Sequence, residues 1–380
     1  MRFRFVFLLP LALLLYACGP LPVVAPLPIP ATPMLIPTYS EATLDRDTVP
    51  RITELTQLRA AGAGPVAALA FTSDGQELLA VHGQEGKLRR WRVTNGAPMA
   101  VFDVGPVGMA AVSFDGVARL LAVGAGCTPP AVQAGYDAPV KGVRIWDTLT
   151  GQLVHEFATD LQFSIVQLSD VALSPKGDRL LGVEPGSLDG WNLTTGKTEI
   201  AVVRFKTIWE GTPGPDSSVL RTVTFDPTGE WFAMASEDGF VEVEKWDHWR
   251  SRGDQPGGIR VGPSMQSPGI PLALAIDPSR HWIAEVTDKS LHVWNLQAWF
   301  GSEALKSEVM SGPLAALAFS PDGDLLAVGT AGGWQIWSVG DWKLLAQGPQ
   351  QATYAVTFSP DGRLFAWGDV DGVVHLWGVP

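Results

Sequence analysis

Cysteine is nearly absent: the 380 residues hold two, Cys18 and Cys127, so no disulfide framework can organise the chain. Basic clusters are missing as well. The 27 Lys and Arg are scattered against 39 Asp and Glu, for a formal net charge of -12, which excludes phosphate-backbone binding and hence nucleic acid as a partner. Electrostatic attraction to anionic lipid is disfavoured for the same reason. Charged residues make up only 17%, too few for long solvated helices. The longest apolar run, Phe5 to Leu15, is too short to cross a bilayer as a helix.

Glycine and proline are abundant, at 41 and 30, and 46% of the residues are hydrophobic. Many short strands joined by tight turns fit this balance, so an all-β fold is expected.

The first residues read as an address. "MRFRFVFLLPLALLLYACGP" has a basic start, an apolar stretch and Ala17 before Cys18, which is signal-peptide anatomy over residues 1–17. "LYAC" resembles a bacterial lipobox, which implies acylation of Cys18. Residues 18–50 follow as a linker, with seven prolines between Pro20 and Pro37 that preclude a helix or a strand ladder. Such a stretch suits a semi-rigid stalk, implying an extracytoplasmic, lipid-anchored protein of the cell envelope. Cys127, in "GAGCTPP", then has no partner cysteine.

Residues 51–380 repeat one unit. A turn recurs as "TSDG" ending at Gly75, "SFDG" at Gly116, "SPKG" at Gly177, "DPTG" at Gly229, "DPSR" at Arg280, and "SPDG" at Gly323 and Gly362. Apolar alternation flanks each turn, as in "YAVTF" and "RLFAW", and predicts strand, turn, strand. A third strand closes on tryptophan at Trp91, Trp146, Trp191, Trp246, Trp294, Trp337 and Trp377, at spacings of 40 to 55 residues. Several of these are followed by Asp or Asn, as in "WD" at Asp147 and Asp247.

These units resemble the WD-repeat family, which implies a seven-bladed β-propeller with four strands per blade. The last unit ends just after Trp377 with three strands, so "RITELTQL" from Arg51 to Leu58 is expected to complete it. The Gly-His pair that the family carries before each first strand is replaced by Gly-Pro at Gly64, Gly105 and Gly312. A histidine-centred hydrogen-bond network of the family type is therefore not expected. The acidic residue of the second hairpin is kept at Asp238, Asp288 and Asp371 and lost at Pro185 and Ala331. The tryptophans are expected to pack between blades.

Chemistry-bearing motifs are scarce. The six histidines show no pair at metal-ligand spacing, and "VHEFAT" lacks the second histidine of a zinc protease motif. "DVDG" at Asp369 to Gly372 lacks the remaining ligands of a calcium loop and reads as a hairpin turn. No G-x-S-x-G elbow or phosphate-cradling glycine loop is present. No metal, cofactor or catalytic residue is assigned, and the protein is expected not to be an enzyme.

Function is then expected where the copies differ. Insertions at 124–142 and 205–218 fall on one face of a propeller and offer Tyr136, Asp137, Trp209, Glu210 and Asp216 as aromatic anchors among acidic groups. The opposite face offers a weaker surface around Trp249, Arg250, Arg252, Trp299 and Phe300. The expectation is a monomeric, membrane-anchored scaffold that binds a protein or peptide. The alternatives are a propeller enzyme of hydrolase or quinone-dependent dehydrogenase type, with a site at the channel mouth, and an envelope accessory protein resembling the TolB type.

Overall fold

The computed structural model describes residues 40–60, 63–105, 111–125, 142–158, 168–184, 187–203, 208–209, 212–213, 219–248, 264–297, 302–308 and 316–380. Seven four-stranded antiparallel sheets account for nearly all of them. Within each blade the strands are lettered a to d outward from the centre. Blade 1 runs Val66–Phe71, Glu77–His82, Lys87–Arg92 and Pro98–Asp103. Blade 2 runs Val112–Phe114, Leu120–Ala125, Gly142–Asp147 and Leu153–Ala158, and blade 3 runs Asp170–Leu173, Arg179–Glu184, Ser187–Asn192 and Lys197–Val203. Blade 4 comprises Leu220–Phe225, Trp231–Ser236, Phe240–Lys245 and Ser264–Gln266, and blade 5 comprises Pro271–Ile276, Trp282–Thr287, Ser290–Asn295 and Ser302–Glu308. Blade 6 holds Ala316–Phe319, Leu325–Thr330, Gly333–Ser338 and Leu344–Gln347.

Blade 7 takes three strands from the carboxyl end, Thr353–Phe358, Leu364–Asp369 and Val374–Gly378. Its d strand is Thr53–Leu58, paired antiparallel to Val374–Gly378. The expected completion by the segment before the first repeat is what the register shows. Strand a of every blade packs on strand a of both neighbours, including blade 7 on blade 1, so the ring is closed.

The core is divided among the blade interfaces. Seven hydrophobic clusters form, each bridging one adjacent pair of blades. Every repeat tryptophan packs backward onto the preceding blade: Trp91 between blades 7 and 1, Trp146 between 1 and 2, and so on to Trp377 between 6 and 7. A strand face that is apolar on both sides cannot bury itself alone, and stacking supplies the missing partner.

The recurrent turn explains its own composition. In all seven blades its first residue, Thr72, Asp115, Ser174, Asp226, Asp277, Ser320 or Ser359, accepts a side-chain hydrogen bond from the amide five residues on, at 2.6–3.1 Å. That amide opens strand b, which the side chain therefore caps. The fourth residue has positive φ: glycine at Gly75, Gly177, Gly229, Gly323 and Gly362, but Ala118 (φ 54) and Arg280 (φ 59) elsewhere. Blade 2 thus corrects the sequence assignment. Its turn starts at Asp115, two residues later than "SFDG" suggested, and Ala118 rather than Gly116 takes the left-handed position.

The packed body also begins earlier than residue 51. Leu44 and Val49 are fully buried beneath blades 6 and 7, and Arg46 donates to the Val339 carbonyl and pairs with Asp341. Leu44 N bonds Gly362 O at 2.7 Å and Ser40 N bonds Val379 O at 2.8 Å. The linker assigned to 18–50 therefore ends in a clasp on the ring.

Candidate functional site: the channel and its rim

The a strands enclose a central channel with a volume of about 700 Å³. Its wall is mostly small or apolar, with Ala70, Leu69, Leu274 and Leu317 beside Ser113, Thr224 and Thr357. The two ends differ. Where the a–b turns converge, Pro175, Pro321 and Pro360 line the opening. At the other end, where the b–c turns and the links between blades lie, the rim carries Ser169, Asp170, Arg221 and Tyr354.

Asp170 is the carboxylate of this rim, and its acceptors are in use. Oδ2 accepts from Thr222 Oγ1 at 2.7 Å and Val223 N at 3.0 Å, tying blade 3 to blade 4, and Oδ1 accepts from Val171 N at 2.8 Å. Burial pushes its pKa up to about 7 against those three hydrogen bonds. Arg221 pairs with Glu237 from the b–c turn of blade 4. Tyr354 is half-buried, and two apolar side chains on the same face, Ile270 and Val370, are about 40% exposed.

The insertions open on this face. Strand b of blade 2 ends at Ala125 and strand c starts at Gly142, while strand d of blade 3 ends at Val203 and blade 4 starts at Leu220. Tyr136, Asp137, Glu210 and Asp216 lie outside the described residues, as do Cys18 and Cys127. Of Trp209 the backbone is described: Ile208–Trp209 forms a two-residue ladder with Thr212–Pro213. Trp249, Arg250, Arg252, Trp299 and Phe300 of the weaker surface also fall outside.

Sequence inspection missed a serine–histidine pair. Ser290 Oγ and His292 Nε2 are 2.6 Å apart, and Glu285 lies opposite His292 on the neighbouring strand. The constellation has the residue types of a hydrolase relay without its access or connection: the three are 0–3% exposed, and neither Glu285 oxygen has a hydrogen-bond partner. Burial pushes Glu285 up to about 7. No group of three or more His, Cys, Asp or Glu that could hold a metal occurs among the described residues.

Four of the repeat indoles show no bond to histidine among the described residues. Trp246 donates to Glu199 and Trp337 to Gln335, while the Trp146 and Trp377 indoles have no acceptor. Comparison with known proteins agrees with the architecture. The family model "WD domain, G-beta repeat" matches residues 206–243 and 342–378. This chain is a seven-bladed propeller carrying WD40 repeats. The WD40 propeller is 26% identical over 251 residues to telomerase protein component 1 of Rattus norvegicus, covering 62% of this chain and 8% of that protein. It is 33% identical over 111 residues to echinoderm microtubule-associated protein-like 2 of Homo sapiens, covering 28% of this chain and 16% of the relative. The WD40 propeller thus spans a small part of the relatives it matches.

Proposed function

We propose that this WD40 propeller is a non-catalytic scaffold that binds a protein or peptide partner on the face carrying the b–c turns, and that Cys18 anchors it to a bacterial envelope membrane. The observation that carries the binding surface is the convergence on one face of the polar rim, the exposed Ile270 and Val370, and the strand ends that flank both insertions. Aromatic and apolar groups amid polar ones, displayed on a rigid scaffold, are the usual composition of an interface. The names of the similar proteins, one a telomerase component and one microtubule-associated, place those proteins in assemblies.

The non-catalytic reading draws on the channel lining, where the carboxylate of Asp170 already accepts three hydrogen bonds and the remaining described wall is largely Ala, Leu, Val, Ser and Thr. The anchor rests on residues 1–39 alone, since the relatives are animal proteins. Among the described residues no helix is long and apolar enough to cross a membrane.

Crosslinking in intact cells tests the binding surface. Trp209→Ala and Tyr136→Ala are expected to weaken capture of a specific partner while leaving the unfolding midpoint of the ring unchanged. Undiminished capture by both variants moves the site elsewhere. The anchor has its own check: labelled fatty acid is incorporated by the native chain and lost in Cys18→Ala, whereas retention of label in that variant removes the lipid assignment.

A further inference from the structure

Blade 7 joins Thr53–Leu58 to the carboxyl-terminal strands, and its seam with blade 1 concentrates ionisable groups. His375 stands between two carboxylates, with Nδ1 against Glu54 on the d strand and Nε2 3.1 Å from Asp369 Oδ2 on strand b. Its ring lies flat on Trp367, with centroids 3.8 Å apart. Asp369 also receives Gln351 Nε2 at 2.6 Å and the Asp371 and Val373 amides at 2.9 and 2.8 Å, which fixes the b–c turn of blade 7. Burial works against this carboxylate, but the hydrogen bonds from His375 and the Val373 amide hold it below the ordinary range.

From blade 1, His82 grips the same turn. It is fully buried, and its Nε2 donates to the Gly372 carbonyl at 3.1 Å. Its other nitrogen, Nδ1, is buried with no partner among the described residues. A second proton on the ring therefore has no acceptor to meet. The charged groups around it are Arg89 and Glu85 from its own blade and Asp369 from blade 7, and Trp91 presents its ring edge-on at 6.3 Å. The packing leaves no slack for another arrangement. A Cβ on Gly372 (φ +79) would meet the Ala63 and Gly64 carbonyls at 2.6 and 2.7 Å, and one on Gly368 would meet Val66 at 2.5 Å.

We propose that the blade 7–blade 1 seam is an acid-sensitive latch, which opens ahead of the other blade interfaces as pH falls below neutrality because His82 must take up a proton it cannot satisfy. Burial lowers the His82 pKa from 6.5 to about 4, with Arg89 adding to the effect. For a base with a depressed folded pKa, the open state binds the extra proton first. Stability is thus complete above 6.5 and declines as pH falls from 6.5 to about 4, where the loss levels off. Asp369 acts in the same sense at lower pH, since its contribution is present above its ordinary value of 3.8 and is lost as pH falls through its depressed one.

Hydrogen exchange on the full chain tests the latch, read at the amides of Thr56–Leu58 and Val374–Leu376 and, for comparison, of Leu291–Val293 in blade 5, from pH 7.5 to 4.5. After correction for intrinsic rates, the seam opening constant should rise by up to about tenfold per pH unit below 6.5, while the blade 5 amides, whose neighbour Glu285 is relieved by protonation over the same range, keep or gain protection. His82→Gln, which keeps a donor for Gly372, should abolish that slope. Equal loss of protection at the seam and in blade 5, or an undiminished slope in His82→Gln, overturns the proposal. If the variant does not fold, the comparison of the two regions in the native chain decides alone.

Discussion

The first and third residues of the recurrent turn trade chemistry. In blades 1, 6 and 7 a hydroxyl stands first and donates to an aspartate standing third, as Thr72 to Asp74, Ser320 to Asp322 and Ser359 to Asp361. In blades 4 and 5 the order is reversed, with Thr228 donating to Asp226 and Ser279 to Asp277. Either order leaves an oxygen to cap strand b. Blade 2 lacks the hydroxyl partner, and there burial pushes Asp115 up against its backbone hydrogen bonds. Ser359→Ala orphans the buried Leu364 amide and should cost about 1–3 kcal/mol in urea unfolding, whereas Asp361→Ala, at an exposed position, should cost less than about 0.5 kcal/mol. The turns were legible in the sequence because their chemistry is local, acting within five residues. The trade was not, because it appears only once the hydrogen bonds are traced. The Ser290, His292 and Glu285 group escaped notice because their meeting depends on strand register, which spacing along the chain does not reveal.

At the scale of elements, three strands of each blade and the repeat tryptophans could be read from periodicity, and the closing strand Thr53–Leu58 from the four-stranded blade that the family resemblance implies. The clasp could not. "SEATLDRDTVPR" has no apolar period, and Leu44 and Val49 look like isolated apolar residues in a polar linker. Their burial arises from contact with Trp334, Phe365 and Val379, partners some 290 or more residues away. Leu44→Ala should therefore destabilise the protein by about 2–5 kcal/mol, measured by chemical denaturation, as for a core leucine. A loss below about 0.5 kcal/mol would mean that the segment merely rests on the surface. The clasp and the closing strand together fasten the chain's amino end to blades 6 and 7, beside the seam where His82 and His375 sit.

The whole ring has two unlike faces. The a–b turns repeat one chemistry seven times and close around prolines, while the opposite rim varies from blade to blade and carries Asp170, Arg221 and Tyr354. Sequence alone distinguished the faces by where the insertions fall, and the described strand ends put both insertions at the variable rim. The rim itself was not legible, since it is assembled from the first residues of a strands in three different blades. The most direct measurement is photo-crosslinking from each face in intact cells. A photoreactive side chain replacing Val370 or Asp238, exposed on the variable face, should capture a specific partner, and one replacing Asp322 or Asp361 on the a–b face should not. Capture from Asp322 and Asp361 that equals or exceeds capture from Val370 and Asp238 would contradict the account.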